Sequence, residues 1–226
     1  MKYVLVFLSF LCLISCEQDN IIEPLSCECD YHEVIIGEHN YEITLIGGSG
    51  RYSISGYDQD VLDITIKNNK IIVLGKSLGE TVIYIKDDIT GKTEEITVRV
   101  INEYLSLIAA APVNPPYNIG TKLFLVNGGI NSLFIFDSEN NIIQQGTYSI
   151  VISNSNLQLI CNMGGFQCLY DINGSSDALL RWLLDKHTST FNVRSDSRYT
   201  LKALDIESGI IHYFVLSDER IPLRYI

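Results

Sequence analysis

Apolar residues recur at every second position in short runs, separated by glycine, asparagine and aspartate, and this two-residue period constrains the fold more than any other feature. In "YEITLI" (41–46) Tyr41, Ile43 and Leu45 fall on one side, and in "LDITIK" (62–67) Leu62, Ile64 and Ile66 do the same. "TEEITVRV" (93–100) sends Ile96, Val98 and Val100 one way and Glu95, Thr97 and Arg99 the other. Successive side chains of a strand point to opposite faces, so these runs predict antiparallel sheet with one buried and one wet face. The breaks are turn sequences: Gly47-Gly48-Ser49-Gly50, Asn68-Asn69, Gly75 to Gly79 and Asp87 to Gly91. Six or seven strands within residues 31–102 predict a β-sandwich.

"DVLDITIKNNKIIVLGKSLGETVIYIKDDITGKTEEITVRV" (60–100) resembles the bacterial Ig-like domains. Those carry a hairpin of the form I-x-N-x-K-I-x-V, a glycine-rich corner, then G-x-T-x-I-x-V-x-D and a closing strand of alternating valines. Lys70, Ile71, Ile72, Val73, Gly75, Gly79, Thr81, Ile83, Ile85, Asp87, Gly91 and Val98 stand in those places. Residues 31–102 hold neither Cys nor Trp, so the antibody-type Cys–Trp–Cys core is absent. The resemblance implies a spacer or adhesive module, with no active site to carry over.

Residues 103–226 read as a second β-rich unit, with Ala109-Ala110-Ala111-Pro112 and Pro115-Pro116 at the joint. Its strand-like runs are "KLFLV" (122–126), "SLFIF" (132–136), "TYSIVI" (147–152), "LQLI" (157–160), "FQCLYDI" (166–172), "RYTLKAL" (198–204) and "IIHYFVL" (210–216). One helix is predicted near 176–187, with Ser175 or Ser176 as N-cap and Asp177 in its first turn. Ala178, Leu179, Trp182 and Leu183 form its apolar stripe, so the single tryptophan reads as core. The expected architecture is mainly β: an Ig-like sandwich, then an antiparallel β-meander or partial barrel with one short helix. "GTYSIVISNSNLQLI" (146–160) faintly resembles a lipocalin-type repeat.

Lys2 precedes the uncharged run Tyr3–Ile14, about twelve residues long. A bilayer span needs roughly 20 apolar residues, so this run has the size of a signal-peptide core instead. Leu13-Ile14-Ser15-Cys16 resembles the lipobox of bacterial lipoproteins, which implies cleavage of residues 1–15, lipidation of Cys16 and a tether over 16–30. Two or three acyl chains give durable anchoring where one does not. Glu17 and Asp19 follow the cysteine, as acids do in surface-displayed lipoproteins of the Bacteroidota. The expected location is therefore the outer membrane, lipid-anchored and facing outward, where disulfides are permitted.

The net charge of −11 repels nucleic acid and anionic headgroups, and the sparse Arg194, Arg198, Lys202 group reads as a solvated strand face. Gly75-Lys76-Ser77 and Gly91-Lys92-Thr93 end like a P-loop, but Lys70 and Lys86 stand where its first glycine belongs. Asp137, Glu139 and Asn141 copy the start of a calcium loop, yet Ile142 and Tyr148 fill the places of its Gly and Glu. Cys27-x-Cys29-x₂-His32, with His39 downstream, is the one compact soft-ligand cluster, a candidate for a disulfide or weak metal binding. Cys161 and Cys168 flank "NMGGFQ", a spacing that sets them opposite each other across a hairpin as a candidate structural disulfide.

No Gly-x-Ser-x-Gly, Ser-x-x-Lys or His-Glu-x-x-His is present. The histidines (32, 39, 187, 212) are scattered, and Asp205-x-Glu207 puts two carboxylates on one strand face, too close to flank a glycosidic bond. The sequence therefore predicts no catalytic residue, no metal and no cofactor. It predicts a non-catalytic binding or adhesive module for a glycan or protein ligand, held to the membrane by its lipid, with the sandwich as stalk. The alternatives are a structural subunit of an outer-membrane assembly, or a small-ligand carrier if residues 103–226 close into a barrel.

Overall fold

A computed structural model of the chain describes residues 22–37, 40–153, 156–184 and 200–225. The first eight strands are β1 (Ser26–Cys27), β2 (Tyr31–Ile35), β3 (Tyr41–Ile46), β4 (Tyr52–Ser55), β5 (Leu62–Lys67), β6 (Lys70–Gly75), β7 (Gly79–Asp87) and β8 (Thr93–Ile101). They form two four-stranded sheets, β1-β3-β6-β5 and β2-β8-β7-β4, in which β2 runs parallel to β8 and the other pairs are antiparallel. The alternating apolar positions meet between the sheets: Ile43 and Ile71 from one, Val34, Ile83 and Val98 from the other, all at most 2% exposed. Branched side chains suit such a pleated, half-buried surface.

A polar pin closes one edge of this sandwich. The Asp87 carboxylate accepts Ser49 N and Oγ at 2.6 and 2.7 Å and Ile89 N and Thr90 N at 2.9 and 3.0 Å. Burial pushes this carboxyl up, but the bonds outweigh it and hold the group well below its usual range. Residues 22–30, expected as free tether, belong to the fold. Leu25 is fully buried, β1 pairs with Leu45 and Ile46, and Lys92 Nζ donates to the Leu25 carbonyl at 2.7 Å.

The remaining strands are β9 (Glu103–Ala110), β10 (Lys122–Asn127), β11 (Ser132–Phe136), β12 (Ile142–Ser153), β13 (Asn156–Met163), β14 (Phe166–Asp171), β15 (Thr200–Asp205) and β16 (Ile211–Leu216). They close fully, in the order β10-β11-β12-β13-β14-β15-β16-β9, so the meander is a complete eight-stranded barrel. Closure removes the free sheet edges that a partial barrel would expose. Gly146 on β12 is required: a Cβ there would lie 2.0 Å from the Asn162 carbonyl oxygen.

The joint is a single residue, Asn102, between β8 and β9. The proline-rich stretch expected at the joint is instead a loop at one end of the barrel. The chain after β16 straps the two halves together. Its Ile221 packs with Phe124, Val126 and Phe136 on the outer barrel wall, and Tyr225 lies against Phe134 and Phe136. The Ile221 carbonyl accepts Arg99 Nη2 at 2.6 Å, while Arg99 Nη1 holds Glu33 at 3.2 Å and the Tyr104 hydroxyl donates to Glu33 at 2.9 Å. Arg220 stacks over the Tyr31 ring at 3.9 Å.

Candidate functional site

The barrel interior and its two ends are the parts of the molecule that bring chemistry-bearing residues together. Period-two alternation along each strand turns every second residue inward: Leu105 and Leu107 from β9, Leu159, Cys161 and Met163 from β13, Phe214 and Leu216 from β16. One end is plugged by the helix α1 (Asp177–Leu184), whose Leu179, Trp182 and Leu183 join this core. Trp182 is core, as expected, and its Nε1 donates to Glu103 Oε1 at 3.1 Å. Neither expected serine caps the helix through its hydroxyl. Ser175 Oγ accepts Lys202 N at 2.9 Å, and the buried Ser176 Oγ has no partner. The helix is described only to Leu184, so the predicted turn beyond it lies outside the described residues.

The other end is the loop end, made by the connections 111–121, 137–141, 164–165 and 206–210. Asn114 Nδ2 bonds the Ile211 carbonyl at 2.9 Å and so ties the first of these loops down. That loop inserts Tyr117, whose ring meets His212 and Phe214 edge-on with centroids 4.9 and 5.1 Å away. The Tyr117 and Tyr170 hydroxyls pair at 3.3 Å. Burial pushes the Tyr117 phenol up to about 12, and it raises Tyr170 and Tyr148 further. It raises the Cys161 thiol to about 12 as well and lowers His212, against which the Asp205 charge works only in part. These groups are held neutral near pH 7, and the His212 Nδ1 has no partner. The geometry offers a protonated thiol beside protonated phenols.

The space among Tyr117, Leu123, Leu133, Cys161, Tyr170 and Phe214 is about 10 Å³. One water needs roughly 10–15 Å³ and small-molecule sites run to roughly 300–1,000 Å³. The barrel closes, as the carrier alternative required, and its own side chains leave too little room for a small ligand in this one space. On the sandwich, an open trough of about 550 Å³ lies over Glu42, Thr44, Lys67, Asn68, Asn69, Lys70 and Ile72, with Lys70 paired to Glu42. It contains no aromatic ring on which a sugar would stack.

The other residues singled out in the sequence fall into turns and surface pairs. Asp137 accepts Glu139 N and Asn141 N at 2.9 and 2.8 Å within its own loop. Asp205 does the same with Glu207 N and Ser208 N, so Glu207 is not its partner on a strand face. Lys76 Nζ bonds the Gln59 carbonyl at 2.6 Å. His32 engages Tyr41 Oη at 3.2 Å and the Cys29 carbonyl at 3.0 Å, and the exposed Cys29 Sγ donates to the Tyr31 carbonyl at 3.1 Å. Burial raises the Cys27 thiol to about 11. Among the described residues no three His, Cys, Asp or Glu side chains are grouped to hold a metal ion. Cys161 and Cys168 are directly opposed on β13 and β14, both as thiols. Cys16, Glu17, Asp19, His39, His187, Arg194 and Arg198 lie outside the described residues.

Sequence periodicity missed the surface that these loops present. Ile119 is 82% exposed, Phe166 75% and Ile143 54%, with Ile206 and Ile210 also exposed, all at the loop end. Ile119, Ile206 and Ile210 lie in connections and Ile143 and Phe166 at strand ends, so no local period joins them; the barrel topology places them at one end.

No family model matches the chain. No curated protein matches it in sequence. Among solved structures, domains 1–6 of the surface layer protein SbsC match with a TM-score of 0.29 at 15% identity, covering 68% of this chain and 24% of that one. Domains 4–9 match with a TM-score of 0.30 at 14% identity, covering 88% of this chain and 27% of that one. Domains 5–6 give a TM-score of 0.29 at 14% identity over 88% and 85% of the two chains. The chain spans about a quarter of the length of the first two, and overlaps of this quality carry no argument about its role.

Proposed function

We propose that this chain is a non-catalytic binding module of the cell envelope, anchored through a lipid on Cys16 and presenting the loop end of its barrel to a protein ligand. The observation that carries the reading is the packed barrel core, which leaves about 10 Å³ among Tyr117, Cys161, Tyr170 and Phe214 and favours the outer surface as the place of contact. On that surface the loop end combines Ile119, Phe166 and Ile143 at high exposure, the residue types of a contact patch rather than of a sugar platform. The one-residue connection at Asn102 and the buried Arg99 contacts suit the sandwich to a stiff stalk.

Two experiments test this. Membrane fractionation of Cys16→Ser should move the protein to the soluble fraction, and persistent membrane association refutes the anchor. Ile119→Ser with Phe166→Ser should abolish adhesion of protein-coated beads to immobilised envelope or matrix proteins, while Lys70→Ala in the sandwich trough should leave it intact. Equal adhesion by the loop-end variant, or binding on a glycan array that depends on Lys70, refutes the loop-end assignment.

A further inference from the structure

Cys161 and Cys168 are a pair of thiols that the fold brings together, and they sit beside the seam with the fewest strand pairs among the described residues of the barrel. The strands β13 and β14 share six residue pairs, whereas β14 and β15 share two, Tyr170 with Asp205 and Asp171 with Leu204. One more bond, Ile206 N to the Leu169 carbonyl, extends that seam. Beyond it, Phe166, Gln167 and Cys168 have no strand partner on the β15 side among the described residues. The free half of β14 is thus held from one side only, by β13.

We propose that Cys161 and Cys168 form a cross-strand disulfide that ties this free half of β14 to β13. The turn between the strands is Gly164-Gly165, both with positive φ (57° and 88°), the two-residue turn that flanks itself with a hydrogen-bonded pair. Met163 and Phe166 are that pair, and Cys161 with Cys168 is the next one of the same kind. Opposed residues of this kind lie about 5.5 Å apart at Cα, inside the ~4.4–6.8 Å window of disulfides. Their Cβ atoms, at about 4.5–5.5 Å, must close by up to about 1 Å. A strand with one unpaired edge can supply that movement. Both side chains face the interior: Cys161 is 3% exposed in the core and Cys168 packs against it, half-buried.

The chemistry balances with an external disulfide, such as oxidised glutathione or an oxidoreductase disulfide, as the two-electron acceptor. The more accessible Cys168, as thiolate, attacks one sulfur of that disulfide and expels a thiolate that takes up a proton. Cys161 then loses its proton, attacks the Cys168 sulfur and expels the second thiol. Burial raises the Cys161 thiol and so slows its attack, while its place directly opposite Cys168 makes this second step intramolecular.

The inference rests on the proposed export only for its oxidant. Purified, reduced full-length protein is therefore incubated with oxidised glutathione and mapped by non-reducing peptide mass spectrometry. The expected result is one peptide pair joined through Cys161 and Cys168, with a melting midpoint higher by on the order of 5 °C that Cys168→Ser and Cys161→Ala each abolish. Folded protein in which Cys168 stays free or stops at the glutathione adduct overturns the proposal, as does a link from either residue to Cys27 or Cys29. The same map on protein from cell membranes separates the two claims: a bond that forms in the tube and is absent there overturns the export reading and leaves this one standing.

Discussion

Arg99→Ala tests whether the sandwich and barrel act as one body. The Arg99 side chain is 4% exposed and Glu33, its partner, 21%. Truncating one partner of a buried pair costs about 3–5 kcal/mol, because the other charge is left stranded. Glu33 keeps the Tyr104 hydroxyl and can turn toward water, so the lower end applies, about 3 kcal/mol. Replacing both partners, Arg99→Met with Glu33→Leu, should recover most of that loss, since a buried pair is worth little against apolar isosteres. The assay is urea unfolding followed by two probes. Trp182, the only tryptophan, reports the barrel, and far-UV circular dichroism reports both halves. Wild-type transitions should coincide, and Arg99→Ala should separate them and lower the midpoint of at least one. Wild-type transitions that are already separate, or a loss under about 1 kcal/mol in both probes, refute the coupling.

Three further perturbations follow from the same contacts. Trp182→Phe removes the Nε1 bond to Glu103, a charged acceptor, and should cost about 2 kcal/mol by circular dichroism; Trp182→Ala also opens a cavity and should cost about 3–5 kcal/mol. Burial lowers the His212 value below 6.5, so the unfolded chain takes up a proton first: stability is full above pH 6.5 and falls as pH drops toward the folded value, with His32 adding the same sign. Urea midpoints measured across that window should fall less steeply for His212→Phe, and an unchanged slope refutes the assignment. The Asp87 value lies below its ordinary 3.8, so this carboxylate's contribution is present above that pH and lost beneath it; Asp87→Asn should weaken the sandwich at pH 7 and flatten its acid limb.

Much of the fold was legible because alternation is a local signal. Tyr41, Ile43 and Leu45 announce a strand without reference to any partner, and β3, β5 and β8 follow such runs. The spacing across Gly164-Gly165 likewise fixed the opposition of Cys161 and Cys168, since a tight turn leaves one register. Barrel closure was not legible, because the pairing of β9 with β16 joins segments about a hundred residues apart. The strap was hidden for a related reason. Arg99 stands at an outward position of an alternating strand and reads as solvated; it is buried only because Ile221 returns to cover it.

The same non-local packing decides how much of the barrel interior is filled. An eight-stranded barrel has an interior just wide enough for side chains to fill or for one small ligand. Here the choice is made by Tyr117 and Tyr170, whose hydroxyls satisfy each other across the space that a carrier would keep open. Smaller residues at these two positions would leave unpaired neighbours such as His212 facing a void, so opening the barrel by substitution costs stability before it creates a site. Exposed isoleucines and a phenylalanine at the rim carry no such penalty. Their exposure persists with the sandwich and strap in place, so neither covers them. The packed wall beneath the loop tips holds Ile119, Ile143 and Phe166 at the surface, while Ile130 and Ile152 are exposed at the opposite end of the barrel.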